Sequence, residues 1–189
     1  EKTGNVADIN LMLVAMLKEA GLKAFPVLVS TKNNGIPIFP TREGFNYVIA
    51  SAEINNEIIL LDATNKYAEP NVIPNRALNW FGRLIKEDGS SVSILLGAAA
   101  QSGEVNMIQA TLSNNGAVKG AMRTIYNKYN AYNFRNSNNE ISEDSYIEKL
   151  ENKYNGMEIS NYTLDHKNDL GEAITEKFEF YVENQADVI

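Results

Sequence analysis

The chain has no cysteine and a single histidine. Without a thiol there are no disulfides, zinc–thiolate sites, iron–sulfur clusters or cysteine nucleophiles. One imidazole excludes any two-histidine metal motif, so no metal site and no cofactor is expected. That histidine, His166, lies in the polar stretch Leu164-Asp165-His166-Lys167-Asn168-Asp169 and reads as a solvated loop residue. No run of eighteen apolar residues is present, so no membrane span is expected. Basic residues are the minority, 17 against 24 acidic, for a net charge of −7. This balance argues against nucleic acid, and against an anionic membrane surface as a main partner. No signal-peptide pattern is visible. Glu1 nevertheless stands almost directly before the first helix, as in an excised piece whose leader was removed.

What the chain does have is globular: 189 residues, 44% hydrophobic and 22% charged, enough for a real core in one domain or two small ones. Asn5 followed by Asp8 reads as a helix N-cap with a partial capping box. Ile9, Met12, Leu13, Met16, Leu17 and Ala20 then recur at the spacing of one helix face, and Gly21 closes the helix. A helix N-terminus favours a thiolate or another anion. Here Val6 occupies that position and can use none of it.

Ala24 to Ser30 reads as a strand, with Pro26 suggesting a place at a sheet edge or at the strand's start. Residues 31–44 form a long loop. Phe45 to Ala52 and Glu57 to Ala63 form a hairpin around Asn55-Asn56, giving an α+β unit with a helix on an antiparallel sheet. After a loop from Asn65 to Ala77 comes Trp80 beside Phe81, either a ligand-stacking platform or a pair that closes a core or a domain joint. Val92 to Leu96 is a further short strand.

The second part is β-rich. Glu104 to Ser113 and Val118 to Tyr129 form a hairpin about Asn114-Asn115-Gly116. Tyr126, Tyr129, Tyr132 and Phe134 read as a half-buried strand face or a carbohydrate-binding stripe. Ser142 caps one helix, Glu143 to Tyr154, ended by Asn155-Gly156. Met157 to Leu164 and Ala173 to Glu183 are strands, and Asn161-Tyr162-Thr163 matches a glycosylation sequon. The expected division is 1–98 and 99–189, with one helix in the second domain.

The first eighty-odd residues resemble the papain-like transglutaminase core. More closely, they are similar to transglutaminase-like proteins of the Bacteroidetes, in which that core is flanked by domains of unknown function. The residues that carry the resemblance are Gly4-x-x-x-Asp8, the helix Leu13-Val14-Ala15-Met16-Leu17-Lys18-Glu19-Ala20-Gly21-Leu22, and Pro26 to Thr31. Phe45-Asn46-Tyr47-Val48-Ile49 and Leu61-Asp62-Ala63-Thr64 complete it. The resemblance implies a truncated papain-like core. It places the family's Cys, His and Asp at Val6, Tyr47 and Asp62. With no thiol there is no acyl-enzyme, and a tyrosine of ordinary pKa, about 10, is no base near neutrality. The implied protein is a pseudoenzyme of the cell envelope, periplasmic or extracellular, with a binding or assembly role. Its expected partner is a peptide, a glycan or another envelope protein, met at Tyr47, Asp62 or Trp80. Two alternatives stand beside this reading: a carboxylate hydrolase using Asp62 with Glu43 or Asp8, and a structural spacer within a longer chain.

Overall fold

The computed structural model describes residues 3–38, 43–97 and 102–183. It is α+β, with three helices and two antiparallel sheets among the described residues. The chain divides into two compact units, Glu1–Gln101 and Ser102–Ile189. The expected boundary between residues 98 and 99 lies outside the described residues.

The first unit opens with α1 (Val6–Glu19). Its capping box is complete: Asn5 Oδ1 accepts from the Ala7 and Asp8 amides at 2.8 and 3.0 Å, and the Asn5 amide donates to Asp8 Oδ2 at 2.9 Å. At the other end Gly21, at φ +81°, lets its amide reach Lys18 O while Leu22 reaches Leu17 O. These are the two bonds of a Schellman stop. Five strands follow: β1 (Lys23–Val29), β2 (Tyr47–Ile54), β3 (Glu57–Leu61), β4 (Phe81–Ile85) and β5 (Ser91–Leu95). Their order in the sheet is β3-β2-β1-β4-β5. Asn55 and Asn56 both take positive φ in the β2–β3 turn, as a two-residue hairpin loop demands.

Three expectations are corrected in this unit. The buried face of α1 runs through Asn10 and Val14, with Val6, Leu13 and Leu17 partly buried against the core, whereas Met12 and Met16 are each 63% exposed. The inner line contains an asparagine, so counting only apolar residues rotated the face toward the two methionines. Pro26 sits in the central strand, not at an edge. It is tolerated because β4 pairs with β1 only from Val27, one residue beyond the missing N–H. Trp80 closes no core in its unit, being 56% exposed at φ +60°.

In the second unit, β6 (Glu104–Leu112), β7 (Val118–Tyr126), β8 (Glu158–Asp165) and β9 (Ile174–Val182) lie in the order β6-β7-β9-β8. Two helices, not one, intervene between β7 and β8: α2 (Tyr129–Asn138) and α3 (Glu143–Lys153). The aromatic tract is therefore helical from Tyr129 onward. Tyr129, Ala131, Tyr132, Phe134, Arg135 and Asn138 are its buried residues. Ala131 and Phe134 of α2 and Tyr146 and Leu150 of α3 pack with Ile174, Phe178 and Phe180 of β9. The Asn-rich sequence offers α2 no capping side chain at Lys128, so packing, not propensity, makes this helix.

A carboxyl group lies inside that core. Glu176 is 2% exposed and accepts from the hydroxyls of Tyr126 at 2.9 Å and Tyr162 at 3.0 Å. Burial first, then the negative charge of Glu176, pushes the phenols of Tyr126, Tyr146 and Tyr162 far above their ordinary value. A phenol whose folded pKa is raised contributes stability that is intact below the unfolded value, about 10, and lost as pH climbs above it. In an alkaline titration followed by phenolate absorbance, fewer than the nine tyrosines of the chain are expected to ionise near pH 10. The remainder ionise only as the units unfold. Nine independent ionisations near pH 10 with the fold intact would contradict this arrangement.

Candidate functional site

The first turn of α1, the start of β2 and the end of β3 converge, and each brings one residue of the sequence-derived triplet. Tyr47 opens β2 and is 7% exposed; Asp62 follows β3 and is 5% exposed. The Tyr47 hydroxyl donates to Asp62 Oδ2 at 2.8 Å. Val6 is partly buried and packs against the core cluster that contains Tyr47. Tyr47 and Asp62 are thus in direct contact, and Val6 borders the same core cluster.

Asp62 is held by more than Tyr47. Its Oδ1 accepts from Asn10 Nδ2 at 3.1 Å, from the Thr64 amide at 2.9 Å and from the Thr64 hydroxyl at 2.6 Å. Asn10, fully buried on α1, also donates to Val48 O and accepts from the Ala63 amide, both at 2.9 Å. One side chain therefore ties the helix to β2 and to the turn after β3. Arg76 completes the site from above: its guanidinium donates to the Tyr47 hydroxyl oxygen at 2.8 Å and lies 5.0 Å from the centre of the Tyr47 ring.

Burial raises the Tyr47 pKa above its ordinary value; hydrogen bonds from Thr64 and Arg76 pull it back, and the Asp62 carboxylate pushes it further up. Near neutral pH Tyr47 is a phenol that gives its proton to a hydrogen bond with Asp62. It is no proton acceptor for a substrate. The arrangement holds the Asp62 carboxylate under four donated hydrogen bonds, and Val6 has no nucleophilic atom.

The other candidate residues lie apart from this network. Asp8 is exposed and engaged in the capping box of α1. Glu43 is exposed, and among the described residues no hydrogen bond joins Asp62 to Glu43 or Asp8. Trp80 lies on a different feature, a groove of about 390 Å³ bordered by Ile36, Ile38, Phe45, Phe81 and Arg83. Its ring centre is 5.3 Å from that of Phe81, and the planes meet at 56°. A bulky residue at positive φ is costly unless its surroundings hold it there; here the Leu96 amide donates to Trp80 O at 2.7 Å. His166 stands exposed in the β8–β9 turn, its Nδ1 3.0 Å from Asp169 Oδ2. Among the described residues no group of three or more His, Asp or Glu side chains is placed to hold a metal ion, and no helix is long and apolar enough to cross a membrane.

Sequence reasoning missed Asn10, Thr64 and Arg76. Asn10 had a signal, a polar residue repeated into the inner line of an otherwise apolar helix. Arg76 had none, because it comes from a single 3-10 turn, Asn75–Ala77, too short to leave a periodic pattern. Comparison with family models, with curated proteins and with solved structures finds no match to this chain.

Proposed function

We propose that the first unit is a catalytically degenerate transglutaminase-like domain, a truncated papain-like core kept for binding or assembly in the cell envelope. The observation that carries this reading is the Tyr47–Asp62 hydrogen bond at 2.8 Å, with a partly buried Val6 packed against the core cluster that contains Tyr47. A phenol occupies the place where a base would be oriented, and both oxygens of Asp62 accept hydrogen bonds, three at Oδ1 and one at Oδ2. Burial also weighs against a hydrolase built on Asp62 with Glu43 or Asp8, because a general base must lie within reach of its substrate and Asp62 is 5% exposed. Binding then falls to the surface, where Trp80, Phe81 and Ile38 present exposed apolar area beside Arg83. A peptide, a glycan or another periplasmic or extracellular protein is the partner class this groove suits.

The chain is expected to show no amide hydrolysis or transamidation. Turnover that disappears in Asp62→Asn would overturn the reading. A gain-of-function test checks the residue assignment itself. Because the chain has no cysteine, Val6→Cys introduces the sole thiol. Combined with Tyr47→His, that thiol is expected to alkylate about ten times faster at pH 7 than in Val6→Cys alone, since an adjacent imidazole lowers a thiol pKa. Equal alkylation rates would show that the three positions do not form the family's triad.

A further inference from the structure

The two sheets end in four edge strands among the described residues, and three of these are managed in ways that discourage pairing. At β3, the Leu60 amide donates to Asn71 Oδ1 and Leu60 O accepts from the Asn71 amide, both at 2.9 Å, so a loop covers that edge. β5 is only five residues long. β8 is broken by a register shift between Ser160 and Thr163, with Asn161 at φ +52°. Short strands, bulges and covering loops are the usual devices that blunt an edge.

β6 has none of them. It runs nine residues in unbroken register against β7, from Glu104↔Tyr126 to Leu112↔Val118, and all nine are exposed. It contains no proline, glycine, lysine or arginine, and Val105 to Leu112 carry no charge at all in a chain of net charge −7. The strand is also two-faced. Ile108 and Leu112 stand opposite Met122 and Val118, which pack into the α2–α3 core, yet they are 63% and 60% exposed. They prolong the apolar face of the sheet past the helices that cover the rest of it.

We propose that β6 is the pairing edge for a second copy of this chain, joined antiparallel across a two-fold axis at Ile108. The argument for a copy is self-complementarity. Ile108 is the middle of the nine residues, so an axis there uses the whole strand. Residues opposite one another then share parity, which keeps the helices of both copies on one side and makes their apolar faces continuous. Glu104, the strand's one charge, meets Leu112 of the copy, Asn106 meets Ala110, and Ile108 meets itself. No like charges face each other, and the two four-stranded sheets become one of eight strands. A closed two-fold also leaves no further β6 edge open, so association stops at the dimer.

Sedimentation of the 189-residue chain tests this directly. The expected result is a concentration-dependent species of twice the 21.0 kDa chain mass. Ile108→Lys and Ile108→Glu each set like charges on the axis and are expected to weaken self-association roughly tenfold or more. Mixing the two variants in equal amounts restores the dimer, which only a contact of residue 108 with itself achieves. Independently of any variant, amide exchange across β6 slows as the unmodified chain is concentrated. A monomer at every concentration, a dimer with unchanged β6 exchange, or a dimer indifferent to Ile108→Lys each overturns the proposal.

Discussion

Replacing Asp62 with alanine is expected to destabilise the first unit by about 3–4 kcal/mol, because it strands several buried donors at once. Asn10 Nδ2, the Thr64 amide and hydroxyl, and the Tyr47 hydroxyl all point at this carboxylate. Asn10 retains Val48 O, and the Thr64 hydroxyl can turn toward Tyr47, so the cost stays below the simple sum of four lost bonds. For a unit of this size such a loss lowers the unfolding midpoint by roughly 15–25 °C. The measurement is unambiguous as to location. Trp80 is the chain's one tryptophan and belongs to the first unit, so its fluorescence follows that unit alone. Tyr47→Phe removes one donor and costs about 1–2 kcal/mol. In the double variant the two effects are not additive, since each removes the same bond. A change below about 1 kcal/mol for Asp62→Ala would mean that the carboxylate does not organise this site, and that a catalytic use had to be sought for it.

How much of this was legible beforehand differs by residue and for physical reasons. The ends of α1 were readable because caps are local: Asn5, Asp8 and Gly21 act within one turn of themselves. The pairing of Tyr47 with Asp62 is what the family resemblance implies, not something that composition or periodicity encodes. Thr64 closes the segment Leu61-Asp62-Ala63-Thr64, but its hydroxyl reaches Asp62 only through the turn after β3. Arg76 reaches the site from a 3-10 turn twelve residues beyond Thr64, a placement that no periodicity encodes. The helix α2 was hidden by composition. Four asparagines and three aromatics in ten residues favour no helix, and a spacing of three between tyrosines suits a strand stripe as well as a helix. Tertiary packing against β9 decided it. Pro26 misled in the same way, since a proline's usual exclusion from central strands fails when the neighbouring ladder starts one residue later.

Arg135 is the clearest case of a residue whose role the sequence conceals, and its replacement is the other large expected effect. An arginine in a polar, Asn-rich tract reads as a solvated charge. Instead it is 0% exposed, and its guanidinium donates to four backbone carbonyls of the β8–β9 turn. Nε reaches Lys167 O at 2.9 Å, while Nη2 reaches His166 O at 3.1 Å, Asp169 O at 2.7 Å and Glu172 O at 2.9 Å. That turn holds His166 and Gly171 at positive φ, so its carbonyls converge on α2 instead of pairing in a ladder. The rigid planar fork of arginine suits several acceptors at once, which a lysine's single ammonium does not. Arg135→Met keeps most of the volume and removes every donor, leaving buried carbonyls unpaired; the expected cost is about 3–4 kcal/mol, confined to the second unit. Arg135→Lys recovers only part of it. Because tryptophan is absent from that unit, near-ultraviolet tyrosine dichroism and amide exchange are the readouts, and exchange in 166–172 should accelerate first. If Arg135→Met unfolds at the same denaturant concentration as the unmodified chain, the turn is held by its own backbone and by Asp169, and the guanidinium merely occupies space between them.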